Sequence, residues 1–161
     1  MSTSGLWRIG LIALLLVGCG EEKKGKLEGV WELVSARFTS PDTTIVTTPT
    51  EWKQVKVITR SHFAFVGQEP DRAMFHGKPT DAELLSAART FFAGGGTYTL
   101  VGDTYTENIQ FFFYPNYVGH SIAFKSQIEG DRWIMSGTYP AKSIGLEEHE
   151  MELYEVWKRI E

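Results

Sequence analysis

From Gly94 to Phe113 the chain alternates between residues that suit a dry face and residues that suit a wet one. A period of two is the signature of a strand buried on one side. Tyr98, Leu100, Tyr105, Glu107, Ile109, Phe111 and Phe113 form the apolar set, and Thr97, Thr99, Thr104, Thr106, Asn108 and Gln110 form the polar set. Gly102-Asp103 lies between the two runs. A two-residue hairpin turn needs positive φ, which Gly and Asp supply readily, so the pattern predicts a hairpin. The turn fixes the register: Val101 opposite Thr104, Leu100 opposite Tyr105, Thr99 opposite Thr106 and Tyr98 opposite Glu107. Glu107 is the one charged residue on the inner face. An unpaired carboxylate is costly to bury, so it requires a partner, a proton or a cavity. Its cross-strand neighbour Tyr98 and the first-strand Arg37 are the candidate partners.

The same device recurs at Gly130-Asp131. It predicts a second hairpin, 121–128 with 132–139, in which Glu129 opposes Arg132, Ile128 opposes Trp133 and Ser126 opposes Met135. Residues 27–38 read as the first strand, with Trp31, Leu33 and Ser35 on one face. Residues 51–67 read as containing one long strand, with Val55, Val57, Thr59, Ser61, Phe63 and Phe65 inward and Lys56, Ile58 and His62 outward. Met151, Leu153, Glu155, Trp157 and Arg159 share a face of the last strand. A short strand is expected at 44–47 and another at 72–75, and a mobile loop at 140–148. A period near 3.6 appears in Leu84, Leu85, Ala88, Phe91 and Phe92, behind the capping box Thr80-Asp81-Ala82-Glu83. It predicts one helix over 81–93, stopped by Gly94-Gly95-Gly96 and serving as a lid or a plug. These elements make an all-β domain with one short amphipathic helix.

The first residues follow different rules. Arg8 precedes an apolar run, Ile9 to Val17, too short to span a membrane comfortably. The run ends Leu16-Val17-Gly18-Cys19, which resembles the bacterial lipobox. That resemblance implies a signal peptide over 1–19, a lipid on Cys19 as mature N-terminus, and residence in the bacterial cell envelope, anchored to the outer membrane on its periplasmic or surface face. Residues 20–26 are charged and contain glycine, as a tether requires. Cys19 is the only cysteine, so no internal disulfide forms and the domain over 27–161 needs a real core. Net charge is −4 and no basic patch is present, which argues against nucleic acid as a partner.

Gly29-Val30-Trp31 resembles the Gly-x-Trp signature of lipocalins and the wider calycin group. In that group the tryptophan closes one barrel end and an arginine of the last strand packs across it; Arg159 stands where the resemblance asks for one. The runs Gly95-Gly96-Thr97-Tyr98-Thr99, Gly102-Asp103-Thr104-Tyr105-Thr106-Glu107 and Glu129-Gly130-Asp131-Arg132-Trp133 are similar to small bacterial lipocalin-like lipoproteins. The resemblance implies a single antiparallel up-and-down barrel of about eight strands with an internal cavity. It implies no established reaction.

No phosphate loop, nucleophile triad or metal-ligand spacing appears, and His62, His76, His120 and His149 are scattered, so neither metal nor cofactor is expected. Three readings remain. The first is binding of a small apolar or amphipathic molecule, with Glu107, Tyr98, Tyr105, Phe111, Arg37, Phe63 and Trp133 as the candidate lining and no catalytic residue. The second is an enzyme using Glu107 as general acid or base, with Arg37 or Arg60 holding an anionic group. The third is a structural module docking another envelope protein. The absence of a spelled-out nucleophile or base pair favours binding.

Overall fold

A computed structural model describes residues 25–161. The expected signal peptide with Cys19, and the expected tether up to residue 24, lie outside the described residues. Nine strands form one antiparallel sheet: β1 (Gly29–Thr39), β2 (Thr44–Thr47), β3 (Lys53–Ile58), β4 (His62–Gln68), β5 (Phe91–Val101), β6 (Thr104–Phe112), β7 (Ser121–Glu129), β8 (Arg132–Tyr139) and β9 (Met151–Arg159). The order β1-β3-β4-β5-β6-β7-β8-β9 closes through the β1–β9 pairing, so eight strands make an up-and-down barrel. β2 is the extra strand. It pairs with Ala36–Thr39, the half of β1 that β3 leaves free. Closure removes the open edges of the eight barrel strands and leaves only the short β2 with a free one.

Both glycine-aspartate hairpins form in the expected register. Tyr98 pairs with Glu107 and Leu100 with Tyr105, while Ile128 pairs with Trp133 and Ser126 with Met135. Gly102 and Gly130 take φ near +64° and +63°, the left-handed values such turns require. The inward series then builds the core from Leu33, Phe63, Phe65, Tyr98, Tyr105, Ile109, Ile122, Phe124, Trp133, Met135, Leu153 and Trp157.

The structure corrects several expectations. Residues 51–67 are two strands joined by an exposed turn at 59–61, so Lys56 and Ile58 point inward and Val57 outward. A bulge in β1 between Leu33 and Ser35 shifts the pairing with β9, which buries Ala36 and sends Arg37 outside. A second irregularity, between Gly95 and Gly96, places Ile109 opposite Gly96 but Phe111 opposite Gly95. Beyond it the phase of β6 inverts, so Phe111 is 72% exposed. One inserted residue suffices for each inversion, because side chains alternate faces strictly.

The fourth correction concerns the helix. α1 (Asp81–Arg89) starts at the expected capping box: the Thr80 hydroxyl accepts the Glu83 N–H, and the Glu83 carboxylate accepts the Thr80 N–H. It ends at Thr90, and Phe91, Phe92 and the glycines belong to β5. The glycines are needed there for close approach. A Cβ on Gly94 would lie 2.5 Å from the Phe65 ring, and one on Gly96 would lie 2.0 Å from the Asn108 carbonyl oxygen. α1 buries no residue and leaves Leu84 and Leu85 half exposed. No strand forms at 72–75. Residues 140–148 fold over the barrel end, with Ala141 and Ile144 buried and the Ile144 carbonyl accepting from the Asn116 side chain.

Candidate functional site

The barrel interior divides into a filled half and an open half. Trp31, Trp133 and Trp157 are fully buried in the filled half, and each indole N–H finds an acceptor. Trp31 donates to the Leu27 carbonyl at 2.8 Å, Trp133 to the Ser126 hydroxyl at 2.9 Å, and Trp157 to the Glu155 carboxylate at 3.0 Å. Buried tryptophans usually secure such a partner. Arg159 lies directly opposite Trp31 across β1 and β9, and its guanidinium stacks 4.2 Å from the Trp31 ring centre. Its nitrogens also donate to the carbonyls of Glu28 and Lys26, tying the chain entry to this end.

The open half holds a cavity of about 400 Å³. Its walls are apolar and largely aromatic: Phe38, Phe65, Phe92, Phe112, Phe124 and Tyr139 among others. Its mouth carries Glu51, Trp52, Arg89 and Tyr114, from the connections that end β2, α1 and β6. Three charged side chains stand at its inner end, where the aromatic filling begins: Lys56 of β3, Glu107 of β6 and Glu155 of β9. They are 4%, 5% and 7% exposed, respectively.

Lys56 is the hub of this group. Its Nζ donates to Glu107 Oε1 at 2.9 Å. It also lies 4.9 Å from the Trp157 ring centre, 5.4 Å from Trp133, 5.8 Å from Phe65 and 6.0 Å from Tyr105. Rings at these distances add cation–π attraction to the ion pair. Glu155 shares the same ammonium at longer range. Burial pushes its carboxyl above the ordinary range; Lys56 and the Trp157 N–H pull it down, and Glu107 pushes it up again. The Tyr105 hydroxyl, wholly buried beside Glu107, makes no hydrogen bond of ordinary geometry. Burial and the Glu107 charge both raise its pKa. Two acids and one base therefore share a buried site, and one carboxyl has no counterion of its own among the described residues.

The structure gathers the sequence-derived candidates only in part. Glu107 lines the cavity. Its partner is Lys56, and neither Tyr98 nor Arg37 takes that place. Tyr98 is buried in the filled half and donates its hydroxyl to the Thr59 carbonyl at 2.8 Å. Burial pushes its pKa up to about 12. Tyr105, Phe63 and Trp133 are buried core residues that do not line the cavity. Phe111 is on the outside, and Arg37 stacks on the outer face against Tyr154 at 5.3 Å. Arg60 sits in the exposed β3–β4 turn. Sequence reasoning did not single out Lys56 or Glu155. For Glu155 the signal was present, an acid in the inward phase of the last strand like Glu107 in its own. Among the described residues no group of three His, Cys, Asp or Glu side chains could hold a metal ion.

No curated protein and no solved structure matches the chain. The profile of the lipocalin-like domain matches residues 28–160, which covers every strand of the barrel from β1 to β9. Barrel closure, the Trp31–Arg159 stack and this match agree: the chain belongs to the lipocalin-like domain family.

Proposed function

We propose that the domain holds one small amphipathic molecule, with its apolar part among Phe65, Phe92, Phe112 and Tyr139 and its polar end at Lys56, Glu107 and Glu155. The observation that carries this reading is the cavity itself. A concave, mostly aromatic space of about 400 Å³ with a few convergent polar groups at one end has the size and chemistry of a ligand site. A barrel built only for docking would have no need of it. Native mass spectrometry of the gently purified protein tests the reading by showing the bound mass directly. Displacement of an apolar fluorophore gives the matching affinity. Ala36 is buried and lines the cavity wall, so Ala36→Phe fills the space from a residue outside the charged group. It is expected to weaken fluorophore binding by roughly tenfold or more, as loss of a contact surface worth about 1.4 kcal/mol does. Undiminished affinity in a folded Ala36→Phe protein places the ligand elsewhere.

The second part of the proposal concerns location. The lipobox-like ending at Cys19 supports a lipid anchor in the cell envelope, with the barrel tethered through residues 20–26. Metabolic labelling with an alkyne fatty acid is expected to mark the protein, and Cys19→Ser to abolish the mark. Equal labelling of both forms refutes the anchor.

A further inference from the structure

The charge count at the inner end of the cavity selects among amphipathic ligands. Lys56 already has its hydrogen-bonded partner in Glu107. Among the described residues, the inner end therefore offers no unused cation to receive an anionic headgroup. Glu155 is the unbalanced member: one carboxyl oxygen accepts the Trp157 N–H, and the other meets no protein donor among the described residues, while the residue lines the cavity. The Tyr105 hydroxyl beside Glu107 is also buried and makes no hydrogen bond of ordinary geometry among the described residues. The remaining residues facing this end are Leu33 and Ala36 of β1, Phe65 of β4, Ile122 of β7, and Met135 and Tyr139 of β8, none of which carries a positive charge. The other charged cavity residues, Glu51 and Arg89, are exposed at the mouth.

Resting on the ligand-site reading above, we propose that the polar end of this cavity is a site for an amphipathic cation, an alkylammonium or comparable protonated amine, with the Glu155 carboxylate as its acceptor. A buried carboxylate is costly without an opposite charge, and a cationic head supplies that charge without displacing Lys56 from Glu107. A carboxylate head would bring a third acid to a single ammonium and meet like-charge repulsion. Burial also raises the Glu155 carboxyl, as a site lacking its counterion requires, and it lies within reach of a head that enters tail-outward past the aromatic walls.

The test compares decylammonium, decanol and decanoate at pH 7 as competitors of an apolar fluorophore on the purified full chain. Decylammonium is expected to bind at least about tenfold tighter than decanoate, with decanol between them. Glu155→Gln is expected to narrow that gap to about threefold or less while the fluorophore itself still binds. In the wild-type protein, decylammonium should also show a nuclear Overhauser contact between its head methylene and the methyl group of Met135, which lines the cavity and pairs with Glu155 across β8 and β9, a readout that needs no variant. Decanoate binding as tightly as decylammonium while the fluorophore is displaced overturns the cation site and leaves the cavity reading standing. The same holds for a preference that survives Glu155→Gln, or for head contacts confined to the mouth. Failure of the fluorophore and all three decyl compounds to bind refutes the cavity reading, and the cation site with it.

Discussion

Lys56→Met is expected to lower the denaturant midpoint by far more than either carboxyl substitution beside it. The change keeps the length and most of the apolar volume of the side chain, so it isolates the charge. It leaves Glu107 and Glu155, both more than nine-tenths buried, with no cation between them. Stranding a buried charge in this way typically costs about 3–5 kcal/mol. Glu107→Gln is milder, because Lys56 keeps Glu155 as its partner and the site becomes neutral. Glu155→Gln is expected to be neutral or stabilising at pH 7, since it removes the member that has no counterion. The pH dependence follows from the raised Glu155 carboxyl. Between its ordinary value, about 4.3, and its higher folded value, the folded protein binds more protons than the unfolded one. Stability contributed by that proton is therefore full below the ordinary value and declines as pH rises through the folded value. The benefit of Glu155→Gln should grow with pH and vanish near pH 4, and the deficit of Lys56→Met should shrink there. Urea unfolding of the three variants at pH 4 and pH 7 checks the ranking. A Lys56→Met protein as stable as wild type at pH 7 would show that the ion pair does not hold the two acids.

The contrast between what the chain declares and what it hides has a physical pattern. Gly102-Asp103 and Gly130-Asp131 state their hairpins openly, because a two-residue turn with positive φ fixes turn position and register together. Glu107 could be placed inward on that ground alone. The pairing of Trp31 with Arg159 joins opposite ends of the domain, and only the family resemblance connected them. Bulges are written less plainly. Nothing in Leu33-Val34-Ser35 marks an inserted residue, and the insertion is settled by how β1 must bend to reach β9. That single residue moved Arg37 from the interior to the outer face. The turn at 59–61 is Thr-Arg-Ser, without Gly, Pro, Asn or Asp, and the alternation on either side can be read straight through it. Reading through it reversed the phase of β3 and hid Lys56, the residue on which the cavity's polar end depends. The three glycines at 94–96 look like a helix stop in isolation. Phe65 and Phe112 above them show their use, which is room for rings.

Trp31→Ala is expected to cost about 3–5 kcal/mol of stability, the range for truncating a large buried aromatic. The side chain is fully buried, packs 5.5 Å from the Trp133 ring centre and donates to the Leu27 carbonyl, so its loss opens a cavity and frees a buried acceptor. Arg159→Ala is expected to cost less, because the guanidinium lies partly exposed and gives up a cation–π contact of about 0.5–2 kcal/mol together with its bonds to the Glu28 and Lys26 carbonyls. Arg159→Lys should recover little of that loss: an ammonium keeps the charge but not the flat stack or the forked donors. This end of the barrel is separated from the cavity by Tyr105, Trp133 and Trp157, none of which lines the cavity. Arg159→Ala should therefore lower the unfolding midpoint while leaving fluorophore affinity at the wild-type value, the reverse of the Ala36→Phe outcome. Guanidinium chloride unfolding beside fluorophore titration separates the two ends. If Trp31→Ala and Arg159→Ala both unfold at the wild-type midpoint, the stack does not close the barrel; if Arg159→Ala instead loses fluorophore binding while remaining folded, the two halves of the interior are coupled through the tryptophans.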